Sequence, residues 1–190
     1  MTQALTQSSG YGHLADTHVV ENQPPPLCDY NTYQQDAALR EAVTREGAAW
    51  AEPTLQAFGT LTGSREVIEL GFQANENKPV LYTHDNYGHR IDEVRFHPAY
   101  HRLMQISTEH GLHAAHWRTP QPGAHVARAA MCYLQNQVDA AHGCPITMTS
   151  AVVPALQEQP ELAAQWLPKI TALQYDHRNI PMAQKSAITV

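Results

Sequence analysis

Ala124-His-Val-Ala-Arg-Ala-Ala-Met-Cys-Tyr-Leu-Gln-Asn-Gln-Val-Asp-Ala-Ala-His142 decides the fold class. Val126, Ala127, Ala130, Met131, Leu134, Val138 and Ala141 return with a period near 3.6, which draws one apolar stripe along a helix. The stripe is rich in alanine, so neighbouring helices can approach it closely. The helix is therefore expected at the centre of an all-helical core. Gly143 reads as a left-handed cap, and Pro145 opens a further helix from Ile146 to about Gln157.

Helical signals continue on both sides. Asp36 is placed to cap a helix whose face carries Leu39, Val43, Glu46 and Trp50. Pro53 opens a second helix, closed by Gly59 and Gly63. Ser64 caps a third, with Val67, Leu70, Gly71 and Ala74 facing inward. Pro98 starts another, with Leu103, Met104 and Ile106 as buried candidates and Gly111 at its end. His110 to Pro122 reads as a connection, and Pro160 opens a last helix bearing Leu162 and Trp166. Residues 79–96 break the pattern. Val80-Leu-Tyr-Thr, the turn Asp85-Asn-Tyr-Gly88 and the run from Ile91 to Phe96 predict a β-hairpin.

The ends differ from this middle. Residues 1–35 are rich in Gln, Ser, Thr and Pro, and Pro24-Pro25-Pro26 forbids a helix there. They read as an arm, either unstructured or docked on a neighbouring subunit. Lys185-Ser-Ala-Ile-Thr-Val190 turns β-branched, as a strand begins. The organisation is thus an arm (1–35), a helical domain (36–182) and the start of a β domain (183–190), the front of a longer protein.

Composition excludes several classes. Hydrophobic residues form 43% of the chain, enough for a core, whereas charged residues form only 16%, which suggests surface meant to be covered. The net charge is −6 with no Lys/Arg run, so direct nucleic-acid binding by this segment is not expected. Cys28, Cys132 and Cys144 are few, odd in number and outside any C-x-x-C pattern, as for free thiols in a reducing cytosol. No secretory signal or membrane-length apolar run is visible. A cytoplasmic protein is expected.

Candidate chemistry is sparse. His110, His113 and His116 recur every three residues, but Gly111 lies among them and no further ligand completes a zinc set. His97 and His101 are four apart, yet Pro98 stands where a zinc protease needs Glu. Hydrogen-bonded or solvated histidines are the expectation. Cys144 precedes a helix start, which favours thiolate, but Pro145 follows and the neighbours are apolar, so a packed thiol is expected. Neither G-x-S-x-G nor a Gly-rich phosphate loop occurs. Glu41, Glu46, Glu66 and Glu69 read as surface charges.

Four stretches carry a resemblance: Glu41-Ala-Val-Thr-Arg-Glu-Gly47, Val94-Arg-Phe-His-Pro-Ala-Tyr-His101, Ala127-Arg-Ala-Ala130 and Cys144-Pro-Ile-Thr-Met-Thr149. Together they resemble the N-terminal part of AidB-type acyl-CoA dehydrogenase homologues, flavoproteins associated with the bacterial adaptive response to DNA alkylation. The resemblance covers roughly Gln23 to Val190. It implies a mainly α fold, the acyl-CoA dehydrogenase N-terminal helical domain with one small hairpin, followed by a β domain and a C-terminal helical bundle. FAD would lie between the parts, and the subunits would form a tetramer.

Dehydrogenation of an acyl thioester needs a base at the α-carbon, a flavin to take the β-hydride and hydrogen bonds to the carbonyl. The resemblance puts the flavin-holding Met-Thr-Glu and Gly-Gly-Ser-Asp stretches, the catalytic carboxylate and the basic DNA-binding region downstream. No catalytic or cofactor-binding residue of the family therefore falls on this sequence. By position, Gln137, Cys144 and Thr147 would help line the acyl pocket, with ordinary packing at a helix-to-helix turn as the alternative for each. The chain alone is expected to be inactive. The competing expectation is a non-catalytic assembly or interaction module that binds full-length relatives.

Overall fold

Short polar side chains start three of the helices: Asn31, Asp36 and Ser64 each accept from a first-turn N–H. The computed structural model describes residues 22–189. Among these, the elements run α1 (Thr32–Gln35), α2 (Ala37–Arg45), α3 (Glu52–Thr62), α4 (Arg65–Glu76), β1 (Val80–His84), β2 (Arg90–Arg95), α5 (Pro98–Glu109), α6 (Ala115–Arg118), α7 (Ala124–Asn136), α8 (Gly143–Gln157) and α9 (Pro160–Ile170). The Asp36 carboxylate accepts from the Leu39 N–H at 2.8 Å, and Ser64 Oγ accepts from the Val67 N–H. Each satisfies a donor that the first helical turn leaves free.

The fold is mainly helical, with a two-stranded antiparallel hairpin. α7 lies against α2, α3 and α6, while α4 packs along α5 and α8 along α9. Tyr33, Leu55, Phe58, Leu103, Met104, Ile106, Leu112, Leu134 and Ile146 form one buried cluster between them. In the hairpin Val80 pairs with Arg95, Leu81 with Val94 and Tyr82 with Glu93. The Asp85 carboxylate closes its turn by accepting from the N–H groups of Tyr87 and His89. Every residue of β1 is exposed, so the hairpin stands off the helical body.

Four expectations need correction. The helix beginning at Asp36 does not reach Trp50. It stops at Arg45, because Gly47 takes φ +81°, a left-handed turn that glycine adopts without strain. Trp50 then sits in a 3-10 turn and donates its indole N–H to the Pro122 carbonyl at 2.9 Å. The central helix likewise ends at Asn136 rather than His142, and Gly143 opens α8 instead of capping α7. The Gln135 carbonyl accepts from the N–H groups of both Val138 and Asp139, which tightens the chain out of the α-helix.

The arm is shorter than 1–35. Thr32 and Tyr33 are buried, the Asp29 N–H donates to the Gly63 carbonyl, and Tyr33 Oη donates to Glu52 at 3.0 Å. This part docks on its own domain. Residues 1–21, where docking on a neighbour was expected, lie outside the described residues. Over 185–189 no strand is present: the Ile188 N–H donates to the Lys169 carbonyl at the end of α9, and a strand requires a paired neighbour. Val190 lies outside the described residues.

Candidate functional site

The sharp link from α7 to α8 creates a cavity of about 330 Å³, bordered by Ser107 of α5, Gln135 and Asn136 of α7, and Cys144, Thr147 and Met148 of α8. Its floor is a buried polar relay. Asp139 Oδ2 accepts from His142 Nδ1 at 2.7 Å and from the His142 N–H at 3.3 Å. His142 Nε2 then lies 3.0 Å from Ser107 Oγ. With the Nδ1 proton given to Asp139, Nε2 is left to accept the Ser107 hydroxyl proton. These hydrogen bonds from His142, first among the causes, hold the Asp139 carboxyl below its ordinary range despite burial.

This order of groups is also that of a nucleophile relay, but its surroundings do not serve that chemistry. Ser107 is fully buried within α5, where the helix ladder already uses the backbone N–H groups. An oxyanion needs free, converging donors. What the relay does is clamp the α7–α8 turn onto α5. A second contact sets the depth of that turn: Gly71 of α4 lies so close to the Val138 carbonyl that a Cβ would collide with it. Gln135 completes the floor. It is 1% exposed, and neither its amide nitrogen nor its oxygen has a hydrogen-bond partner among the described residues.

The three residues expected at a pocket separate here. Cys144 and Thr147 are both exposed and stand on the cavity border. Gln137 caps the end of α7 and is exposed, but it does not border this cavity. Cys144 is therefore no packed thiol, which departs from the sequence reading. Pro145 lies inside the first turn of α8, which leaves Cys144 facing outward. Cys132 on the opposite side is the more sheltered thiol, and burial raises its pKa.

Of the three evenly spaced histidines, His113 and His116 are buried and His110 is exposed. His110 donates from Nδ1 to the Ile106 carbonyl, and His113 from Nε2 to the Ala172 carbonyl. His116 Nε2 meets Ser150 Oγ at 3.1 Å. Among the described residues no group of three His, Cys, Asp or Glu could hold a metal ion. Sequence reasoning missed Ser107, Gln135, Asp139 and His142. Asp139-x-x-His142 has the spacing of a local side-chain-to-backbone cap and could have been found. Ser107 carries no such signal, since it meets His142 only through the tertiary fold.

Residues 22–177 match the family described as the adaptive response protein AidB N-terminal domain. Over 176 residues the chain is 44% identical to AidB of Escherichia coli (strain K12), whose name assigns it provisionally to the acyl-CoA dehydrogenases. The alignment takes in 92% of this chain and 32% of that relative, so the chain spans about a third of the relative's length. Two solved structures share the fold, each with a TM-score of 0.73. One is Bd2924 in its apo form, 24% identical, covering 81% of this chain and 32% of that one. The other is Caenorhabditis elegans ACDH-11 in complex with C11-CoA, 22% identical, covering 90% of this chain and 30% of that one.

Proposed function

We propose a function from one premise: this chain belongs to the family of AidB N-terminal domains. It serves as the N-terminal helical domain of an FAD-dependent acyl-CoA dehydrogenase of the AidB type. Its part is to supply one side of an acyl-thioester pocket, while flavin, catalytic base and DNA-protective surface belong to downstream β and C-terminal domains. The observation that carries this reading is the α7–α8 turn, held from below by Asp139, His142 and Ser107 and open above at Cys144 and Thr147. A clamped backbone with short side chains on top suits a passive pocket lining. Gln137, exposed at the end of α7, stands beside that lining as a further pocket residue. The complete protein is a cytoplasmic tetramer, and this segment contacts neither nucleic acid nor membrane; among the described residues no helix is long and apolar enough to cross a bilayer.

The α7–α8 cavity offers no cation to an FAD diphosphate. A dinucleotide diphosphate needs cations or converging backbone N–H groups, and this cavity is bordered by no Arg or Lys. The purified chain should show no bound flavin absorption and no thioester oxidation. Joined to the remainder of an AidB-type protein it should bind flavin, and Thr147→Trp there should shift acyl-CoA binding toward shorter chains. A stoichiometric flavin on the chain alone, or an unchanged chain-length preference in Thr147→Trp, overturns the reading.

A second reading, an assembly module that joins full-length relatives, is favoured by the hairpin. Its cross-strand pair Leu81 and Val94 is 59% and 50% exposed, which is apolar area left for another surface.

A further inference from the structure

The two strands of the hairpin present unlike edges. β2 is guarded against a further strand. Between the pairs Tyr82–Glu93 and His84–Arg90, β1 has one residue, Thr83, and β2 has two, Ile91 and Asp92. Asp92 takes a left-handed φ of +44° at this bulge, which bends the strand and interrupts its pairing. Four of the six residues of β2 are charged, and they form two ion pairs within the strand, Arg90 with Asp92 and Arg95 with Glu93. Charges and bulges are the devices that keep a strand edge from being extended.

β1 has none of these guards. Val80-Leu-Tyr-Thr83 carries no charge and no proline, and Val80, Leu81 and Tyr82 are all exposed. Apart from their pairing with β2, the backbone groups of Val80 to Thr83 have no hydrogen-bond partner among the described residues. An outward strand edge of this kind is a template for another strand. The ends of the run carry opposite charges. Lys78, exposed and without an ion pair among the described residues, precedes it, and Asp85 follows it.

We propose that β1 is the edge at which a second copy of this chain adds, antiparallel and two-fold symmetric, so that the order β2–β1–β1–β2 makes one four-stranded sheet. Charge selects this occupant. An antiparallel neighbour of the same sequence brings Lys78 within one residue of the partner's Asp85 at both ends, while the uncharged run between them sets no like charges opposite each other. A two-fold axis normal to the sheet keeps each face of one ribbon continuous with the same face of the other. Centred on Leu81, the contact brings Leu81 and Val94 of both copies into one row of four apolar side chains, where each hairpin alone has an exposed pair. Each copy covers the other's open edge, and a sheet of more than two strands no longer has the marginal stability of a lone ribbon. The inference rests on the assembly reading of the hairpin and gives it a partner; the dehydrogenase reading, tested by flavin, stands or falls separately.

Sedimentation velocity of the whole chain over a concentration series tests it, with charge placed at the symmetry axis. The unaltered chain should pass from monomer to dimer as concentration rises. Leu81→Lys and Leu81→Glu each set two like charges face to face, so each variant alone should dimerise about fivefold or more weakly. An equimolar mixture of the two should regain the dimer, because Lys then faces Glu. Amide hydrogen exchange over residues 80–83 of the unaltered chain should slow as the dimer forms, a readout that needs no variant and keeps the test decisive if either one fails to fold. A monomer at every concentration, exchange in β1 indifferent to dimer formation, a dimer that both variants keep, or a mixture that stays monomeric overturns the proposal.

Discussion

Asp139 is the residue on which the α7–α8 turn depends. Its carboxylate takes both the side-chain and backbone donors of His142, and the contact is almost wholly buried. Asp139→Ala strands these donors, so the variant should lose about 2–3 kcal/mol of stability in urea denaturation. The His142 resonances should lose their single environment as well. Two buried histidines contribute to the pH dependence of stability. Burial, aided by Arg128, holds the His116 pKa down to about 4, and burial also lowers that of His113. Unfolded histidine titrates near pH 6.5. The unfolded chain therefore binds more protons than the native one between these values, and stability rises with pH across the window. The urea midpoint should climb from about pH 4 to about pH 6.5 and level off above it. The depressed Asp139 acts in the same sense lower down: its contribution is present above the ordinary carboxylate range and is lost as pH falls through its native value. A midpoint flat over the histidine window would contradict buried neutral imidazoles.

At the scale of elements, α4 and the α7–α8 turn meet backbone to backbone. Gly71 has ordinary helical φ, and its lack of a side chain matters for space rather than for conformation: a Cβ would strike the Val138 carbonyl and crowd the Val138 side chain. Gly71→Ala should cost about 2 kcal/mol, within the range for overpacking. That substitution normally favours a helix by roughly 1 kcal/mol, so a lowered thermal midpoint identifies the tertiary clash as dominant. The short helix α1 shows the same dependence on contact. Four residues cannot sustain a helix alone. It holds because Tyr33 is buried, Asn31 Oδ1 accepts from the Gln34 N–H, and Asn31 Nδ2 donates to the Gln56 carbonyl on α3.

For the whole molecule, the hairpin is the element least explained by its own fold. A two-stranded ribbon is marginal in isolation, and here its local support comes from the Asp85 turn and from Arg95 lying 4.3 Å above the Tyr82 ring. The exposed Leu81–Val94 pair leaves apolar area uncovered among the described residues. Leu81→Lys should leave the helical circular dichroism unchanged while reducing association, read by sedimentation velocity, with the remainder of an AidB-type protein. Unaltered association would assign the hairpin no part in assembly.

The sequence by itself determined the helical class, the hairpin with its Asp85 turn, and most helix starts. Periodicity, caps and prolines act over a few residues and can be read locally. The family was legible from four short strings spread along the chain. Helix ends were harder. Trp50 continues a helical pattern yet leaves the helix at Gly47, and α7 stops inside an uninterrupted apolar stripe. Only the tertiary structure decided these points, because the competing bonds come from groups distant in sequence: the Pro122 carbonyl for Trp50, α4 for the Val138 turn and Ser107 for His142. The same reason hid the α7–α8 cavity. Its polar group Gln135 carries no local pattern and becomes distinctive only when packing buries it without a partner among the described residues.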